Sequence, residues 1–397
     1  MAEGRSRPAW AEVDLGALRH NVGLLGRLVA PSALWAVVKA DAYGHGGPAV
    51  AGAAVEAGAT GLAVALIDEA VEIRRAGVTA PMLLLSEPAP DAADAAVEAG
   101  LIPTLCTPAG VASMARAARD RGTTVPVHVK VDTGMHRMGA EPGLVPALVA
   151  AVAEQPTLRL DGLWTHLAVA DGGTAEDRDF TAGQLDRFDQ VVAGLAAAGA
   201  RPPVLHAANS AGAIAWPAAR YDLVRCGIAL YGAAPSAGVA ESLARAAPGE
   251  GLRPVLSLKA HVAAVRELPA GARPSYGRLR PLPERAVVAT IPVGYADGVP
   301  RALFASGFEV LIGGRRRPLA GMVTMDQIVV DCGPGATIVP GDEVVLLGRQ
   351  GTEEITATEW ARQLGTISYE VLTGIGPRVP RIVTGQAGAG RGRTGRR

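Results

Sequence analysis

Eight short apolar runs of strand length constrain the fold of this 397-residue chain more than any other feature. They fall at residues 34–38, 61–66, 81–85, 101–105, 125–131, 158–165, 203–206 and 223–228. Most are separated by alanine-rich segments with helical periodicity. Several of those segments end on a glycine (Gly58, Gly77, Gly100, Gly122, Gly199), where a left-handed C-cap would fall. Buried-type strands alternating with helices indicate an α/β fold with a parallel sheet, either a (β/α)8 TIM-type barrel or a doubly wound open sheet. The count of eight units favours the barrel, over residues 12–240.

Beyond residue 240 the helical periodicity fades. Short β-type runs at 286–291, 309–312 and 343–347 stand between Gly/Pro turns, which predicts a smaller, mostly-β domain over 241–384. A strand at residues 8–14 is expected to join that domain. The segment 385–397 (GQAGAGRGRTGRR) has no apolar anchor and is expected to be a disordered tail.

Charge and apolar content narrow the function. The 38 basic residues balance 38 acidic ones, so neither a nucleic-acid partner nor a membrane surface is expected. No apolar run approaches the roughly 20 residues of a membrane span. The start, MAEGRSRPAWAEVD, lacks the apolar stretch of a secretory signal. Cys106, Cys226 and Cys332 lie far apart without metal-ligand spacing, so no metal is expected and a reducing cytoplasm suits the chain.

Only three of the basic residues are lysines: Lys39, Lys130 and Lys259. In a chain this rich in Ala, Gly, Pro and Arg, a retained lysine is a candidate for work arginine cannot do, such as acting as an amine base or nucleophile. In a barrel, residues at or just after the strand C-termini face the active site. That rule collects Lys39, Lys130, Arg137, His166, Asn209, Ser210, Arg225 and Gly227. An amine, an imidazole, two guanidiniums and a hydroxyl suit an anionic small molecule with a reactive carbonyl. The loops after the seventh and eighth strands carry Asn209-Ser210-Ala211-Gly212 and Gly227-Ile228, suitable parts for a phosphate cradle. With a lysine across the mouth they point to pyridoxal 5'-phosphate, whose aldehyde takes a lysine and whose phosphate needs such a cradle.

The segment Lys39-Ala-Asp-Ala-Tyr43-Gly-His45-Gly resembles the cofactor-lysine motif of alanine racemases. Lys130-Val-Asp-Thr-Gly-Met-His-Arg137, Thr165-His166, Asn209-Ser210 and Arg225-Cys-Gly227-Ile228 resemble further segments of that family, as do Ser275-Tyr276-Gly277, Gly294-Tyr295-Ala-Asp-Gly298 and Met325-Asp326-Gln327. These matches run in order from about residue 10 to 382. The resemblance implies a homodimer with shared sites, in which Lys39 carries the cofactor and is the base on one face of the substrate. Tyr276 of a partner subunit would be the base on the other face. Tyr43, Ser210, Gly227 and Ile228 would hold the phosphate, and Arg137 with the backbone N–H of Met325 the substrate carboxylate. His166 and Arg225 would complete the cofactor site. Lys130 would be a carbamylated lysine that orients Arg137, and Tyr295 would line the access channel.

The implied function is interconversion of L- and D-alanine, supplying D-alanine for peptidoglycan in the cytoplasm. A broad-specificity or serine racemase is the alternative on the same scaffold. A basic amino-acid decarboxylase is disfavoured, because such enzymes place a carboxylate where Arg225 stands. His45 and Trp164 read as structural, and Asp326 as either structural or a helper near the carboxylate. Two departures from the family pattern stand out: Pro377 where some relatives have a phosphate-contacting tyrosine, and His136 where many have glycine.

Overall fold

The computed structural model describes residues 7–385. The expected tail, apart from Gly385, lies outside the described residues. The chain forms two compact units. One comprises Leu18–Ala42 and Gly46–Arg253, and the other comprises residues 7–17, Tyr43–His45 and residues 254–385.

Strand β1 (Ala9–Asp14) belongs to the second unit. The next eight strands build the first unit: β2 (Ala33–Val37), β3 (Gly61–Val64), β4 (Met82–Leu84), β5 (Ile102–Leu105), β6 (Val125–Lys130), β7 (Leu158–Trp164), β8 (Val204–His206) and β9 (Leu223–Cys226). Each falls within or beside one of the eight predicted runs. Their sheet order is β8-β7-β6-β5-β4-β3-β2-β9, and every ladder is parallel. At the remaining seam the N–H of Asp222 donates to the Leu205 carbonyl at 3.1 Å and that of Arg225 to the Ala208 carbonyl at 3.0 Å. The sheet is therefore a nearly closed barrel, as expected. Helices α1 (Leu15–Val29), α2 (Lys39–Gly44), α3 (Gly47–Glu56), α4 (Ile67–Arg75), α5 (Ala93–Glu98) and α6 (Pro108–Asp120) connect the earlier strands; α7 (Val145–Ala153), α8 (Ala175–Ala197), α9 (Ser210–Ala215) and α10 (Ala237–Ala246) follow. The five expected cap glycines all take positive φ, between +61° and +110°.

Side chains that alternate along a strand share a face with their neighbours in register. Lys130, Trp164 and His206 form one such rung across β6, β7 and β8. Two residues earlier on β6, His128 stands opposite Gly162, and on β2 Trp35 stands opposite Gly61. A Cβ on Gly162 would lie 2.7 Å from the His128 ring, and one on Gly61 would lie 2.4 Å from the Trp35 ring. Each glycine vacates the volume its neighbour's ring fills. This part of the interior is a layer of rings and cations, not of aliphatic side chains.

The second unit holds β10 (Leu256–His261), β11 (Ala264–Leu268), β12 (Ala286–Ile291), β13 (Glu309–Ile312), β14 (Arg315–Pro318), β15 (Ile328–Gly333), β16 (Glu343–Gln350), β17 (Glu353–Ile355) and β18 (Arg381–Thr384). One sheet runs β14-β13-β16-β10-β1-β18 with β17 on β16, and a second runs β11-β12-β15. β1 pairs antiparallel with β10 and parallel with β18. Lys259 on β10 ties the middle of the larger sheet, reaching Glu12 of β1 at 2.8 Å and Glu343 of β16 at 3.4 Å. Of the three lysines this one serves an ion pair. Two helices, α11 (Ala357–Leu364) and α12 (Ser368–Thr373), correct the expectation that helix fades from this region. Their signal was present locally: the Thr356 hydroxyl accepts the Glu359 N–H at 3.0 Å, and Gly365 closes α11 in the left-handed conformation.

Candidate active site

Lys39 leaves β2 into α2, and the backbone there turns the opposite way from an ordinary helix. Ala40, Asp41, Ala42 and Tyr43 have φ of +54°, +52°, +54° and +55°, a full turn of left-handed helix without a glycine. Such residues cost about 1–2 kcal/mol each, so the turn persists only because its surroundings hold it. Glu69 on α4 accepts the Ala40 N–H at 2.6 Å, and the Asp41 carboxylate accepts the Gly47 N–H at 2.5 Å. Burial and then the charge of Arg137 push the Lys39 amine below its ordinary range, against a smaller opposing pull from Glu69. Tyr43, at the end of the turn, packs with the second unit, its ring centroid 6.0 Å from that of Tyr369.

Arg225 on β9 is almost fully buried. Its Nη1 donates to Nδ1 of His206 at 2.7 Å. Its Nη2 is shared among the carbonyls of Thr165 (2.9 Å) and Ala207 (3.0 Å) and Nδ1 of His166 (3.3 Å). All four acceptors are neutral, and among the described residues no carboxylate forms an ion pair with it. Burial lowers the guanidinium to about 9, still protonated at neutral pH. The Trp164 ring carries two cations, with Arg225 Cζ 4.5 Å and Lys130 Nζ 4.3 Å from its centroid. Burial first, and Arg225 second, lower the Lys130 amine to about 8. His166 is pushed well below its ordinary range by burial and by the charges of Arg225, Lys130, Arg137 and Lys39. The barrel thus brings Lys39, Lys130, Arg137 and Arg225 into one another's field around a neutral His166, an excess of positive charge that Glu69 and Asp132 offset only in part and that suits an anion.

Of the expected phosphate residues, Ser210, Gly227 and Ile228 come together. Ser210 opens α9, and its hydroxyl accepts the N–H groups of Gly227 at 2.9 Å and Ala229 at 3.4 Å. Those bonds leave the Ser210 O–H as a donor. Among the described residues no acceptor meets the Ile228 N–H.

Tyr276, Tyr295 and Met325 lie on the second unit, where they line one concavity of about 730 Å³ with Arg301, Thr324 and Asp326. Tyr276 is 74% exposed, at the tip of a loop with positive φ at Ser275, Gly277 and Arg278. The Ser275 hydroxyl pins that loop to the Met322 carbonyl at 2.6 Å. The Tyr295 and Met325 loops are zipped together, Tyr295 N–H to Thr324 O at 3.0 Å and Ala296 N–H to Met325 O at 3.1 Å. A Cβ on Gly294 would strike the Thr324 carbonyl at 2.3 Å. Buried Asp297 braces the turn by accepting the Gly294 N–H and pairing with Arg7. Asp326 pairs with Arg378 at 2.6 Å.

Position alone did not single out Glu69, Gln184, His128 and His206. The two histidines sit on predicted strands at the inward parity of Lys130 and Trp164, a signal the sequence carried. Glu69 and Gln184 lie on helices, and only the fold brings them to the mouth.

The alanine racemase N-terminal domain family matches residues 13–235, and its C-terminal domain family matches 255–383. An alanine racemase of Symbiobacterium thermophilum is 46% identical over 380 residues, covering 96% of this chain and 98% of that protein. The alanine racemase structure from D-cycloserine-producing Streptomyces lavendulae superposes with a TM-score of 0.87 at 39% identity, covering 96% of this chain and 98% of that one. A histidine racemase from Leuconostoc mesenteroides superposes with a TM-score of 0.85 at 29% identity, covering 96% and 99%. With both domain families matched in order along one chain, on a barrel whose buried arginine faces only neutral partners, the protein belongs to the alanine racemase family and is an amino-acid isomerase.

Proposed function

We propose that the protein interconverts L- and D-alanine with pyridoxal 5'-phosphate as cofactor, as a cytoplasmic homodimer whose product supplies peptidoglycan. The observation that carries the reading is Arg225, a buried cation whose terminal nitrogens are engaged by neutral groups. Its Nε–H would be the donor toward the pyridine nitrogen, and a guanidinium protonated at neutral pH would leave that nitrogen without a proton. A decarboxylase of this plan needs a carboxylate there.

The barrel residues fit the cofactor. Lys39 offers an amine of lowered proton affinity to the aldehyde, and the excess of positive charge around it suits an anionic cofactor. Ser210, Gly227 and Ile228, with Tyr43, supply phosphate contacts. When bound, the cofactor acts as the electron sink that acidifies the substrate Cα–H. Lys39 moves that proton on one face, its base form favoured by burial and by Arg137. Tyr276 of the partner subunit serves the opposite face, which accounts for its exposure on a braced loop. Arg137 and the Met325 N–H hold the substrate carboxylate, and Tyr295 lines the access channel. At about 8, Lys130 has a neutral fraction able to add to carbon dioxide with loss of a proton, giving a carbamate that orients Arg137.

Incubating the protein with pyridoxal phosphate and L-alanine in heavy water tests the reading by proton NMR and chiral analysis. Loss of the Cα–H signal with accumulation of D-alanine is expected; no exchange would overturn it. The likeness to a histidine racemase keeps a broader or serine-directed specificity as the second reading, which the same assay on other amino acids decides.

A further inference from the structure

His128 lies outside the machinery described so far, yet it ends an unbroken line of side chains that begins at Arg225. Arg225 Nη1 meets His206 Nδ1 at 2.7 Å, and His206 Nε2 meets His128 Nδ1 at 2.9 Å. A guanidinium only donates, so His206 Nδ1 is an acceptor and carries no proton. The remaining proton of a neutral His206 is then on Nε2 and donates to His128 Nδ1. The line has one direction, set at the arginine end.

We infer that His128 is a positioning residue for Arg225, acting through His206: by accepting the Nε2–H it fixes the one tautomer of His206 that can receive the guanidinium. The inference rests on the proposed role of Arg225 at the cofactor. Three features show that the place is built for the ring. Gly162 clears its volume, since a Cβ there would lie 2.7 Å from it. Trp35 stacks on its other side, with centroids 6.1 Å apart and planes at 24°. His206 is itself clamped against Trp164, at 5.5 Å and 8°. With those rings held, His206 Nε2 has one direction in which to donate, and Arg225 Nη1 one direction in which to be accepted. Burial lowers both imidazoles, which keeps the line neutral beyond the guanidinium. A proton on His128 Nδ1 would set two donors against each other and release His206.

The test is two-bond proton–nitrogen correlation of the full chain labelled with 15N-histidine, before and after loading with pyridoxal phosphate. His206 protonated on Nε2 and bare on Nδ1 at neutral pH is expected, in both forms. His206 protonated on Nδ1, or on both nitrogens, overturns the inference. In His128→Leu the acceptor is lost, and the dissociation constant for pyridoxal phosphate should rise about tenfold with mixed His206 tautomers. In His128→Asn the amide oxygen replaces Nδ1, and both properties should return to within about threefold of the parent. Leu and Asn variants that behave alike overturn it. If His128→Leu does not fold, the parent and His128→Asn spectra decide alone. Because the tautomer is read without cofactor, correct tautomers together with no alanine exchange would sink only the functional reading.

Discussion

The side-chain amide of Gln184 on α8 closes on the loop of His166 from both directions. It donates to the His166 carbonyl at 3.1 Å and accepts from the Ala168 N–H at 2.8 Å. The same NH2 group reaches the Thr133 hydroxyl at 3.2 Å, which in turn meets the Thr165 hydroxyl at 2.7 Å. One buried amide therefore fastens the histidine loop to the segment that leads to Arg137. Arg187, one helical turn further on, adds a bond from its Nε to the Thr133 carbonyl at 2.7 Å.

Replacing Gln184 with leucine keeps the volume but strands the part-buried Ala168 N–H and His166 carbonyl. A fully buried group left unsatisfied costs about 1–3 kcal/mol and these two are part-buried, so a loss of about 2–4 kcal/mol in urea unfolding is expected. The KM for alanine should rise by about tenfold, because the Arg137 segment loses its tether. A variant with unchanged unfolding midpoint and unchanged KM would show the tether to be idle.

The turn after Lys39 yields a prediction of unusual sign. Alanine to glycine inside an ordinary helix destabilises by roughly 0.5–1 kcal/mol. Ala40 is exposed and sits at φ +54°, where glycine is at ease and alanine is not. Ala40→Gly should therefore stabilise the protein by about 0.5–1 kcal/mol net of the entropy glycine adds to the unfolded chain. The same change should slow turnover, since the strained turn holds the Lys39 backbone. A destabilised variant in urea titration would mean that the turn relaxes to right-handed geometry.

That turn also marks where reading the sequence stops. The apolar runs and cap glycines made the barrel legible, because strand parity and positive φ leave local traces at Gly58 or Gly199. Lys39, Lys130, His166, Ser210 and Arg225 were legible as site candidates from their strand-end positions. Nothing local marks residues 40–43 as left-handed: no glycine is present, and the brace is Glu69, more than twenty positions away. The ion pair of Lys259 was equally hidden, because its partners Glu12 and Glu343 come from the two ends of the chain. Thr356 and Glu359, by contrast, spelled a helix start that the fading periodicity of the region masked.

Acid should weaken the fold in a defined window. Burial and neighbouring cations hold His128 at about 4, and His166 and His206 well below the ordinary 6.5. A depressed histidine is neutral when folded and gains its proton on unfolding, so its contribution is complete above about 6.5 and is lost as pH falls toward the folded value. With three such groups, stability should fall by up to about 4 kcal/mol per pH unit below pH 6. Urea midpoints at pH 7.5 and 5.5 check this, and His128→Asn should remove about a third of the slope. Equal midpoints at the two pH values would mean that these imidazoles are protonated in the fold.

The final prediction separates a shared site from a self-contained one. If Tyr276 serves the partner's barrel, Lys39→Ala and Tyr276→Phe each abolish activity, yet defects in different subunits fall on different sites. A mixed dimer then holds one site with both lesions and one with neither. Random reassortment makes about half the dimers mixed, so about a quarter of the sites in the mixture should be intact. Mixing the two inactive proteins, exchanging subunits under mild denaturant and assaying alanine racemisation should recover about a quarter of parental activity. A self-contained site would instead place each lesion in its own subunit and recover nothing.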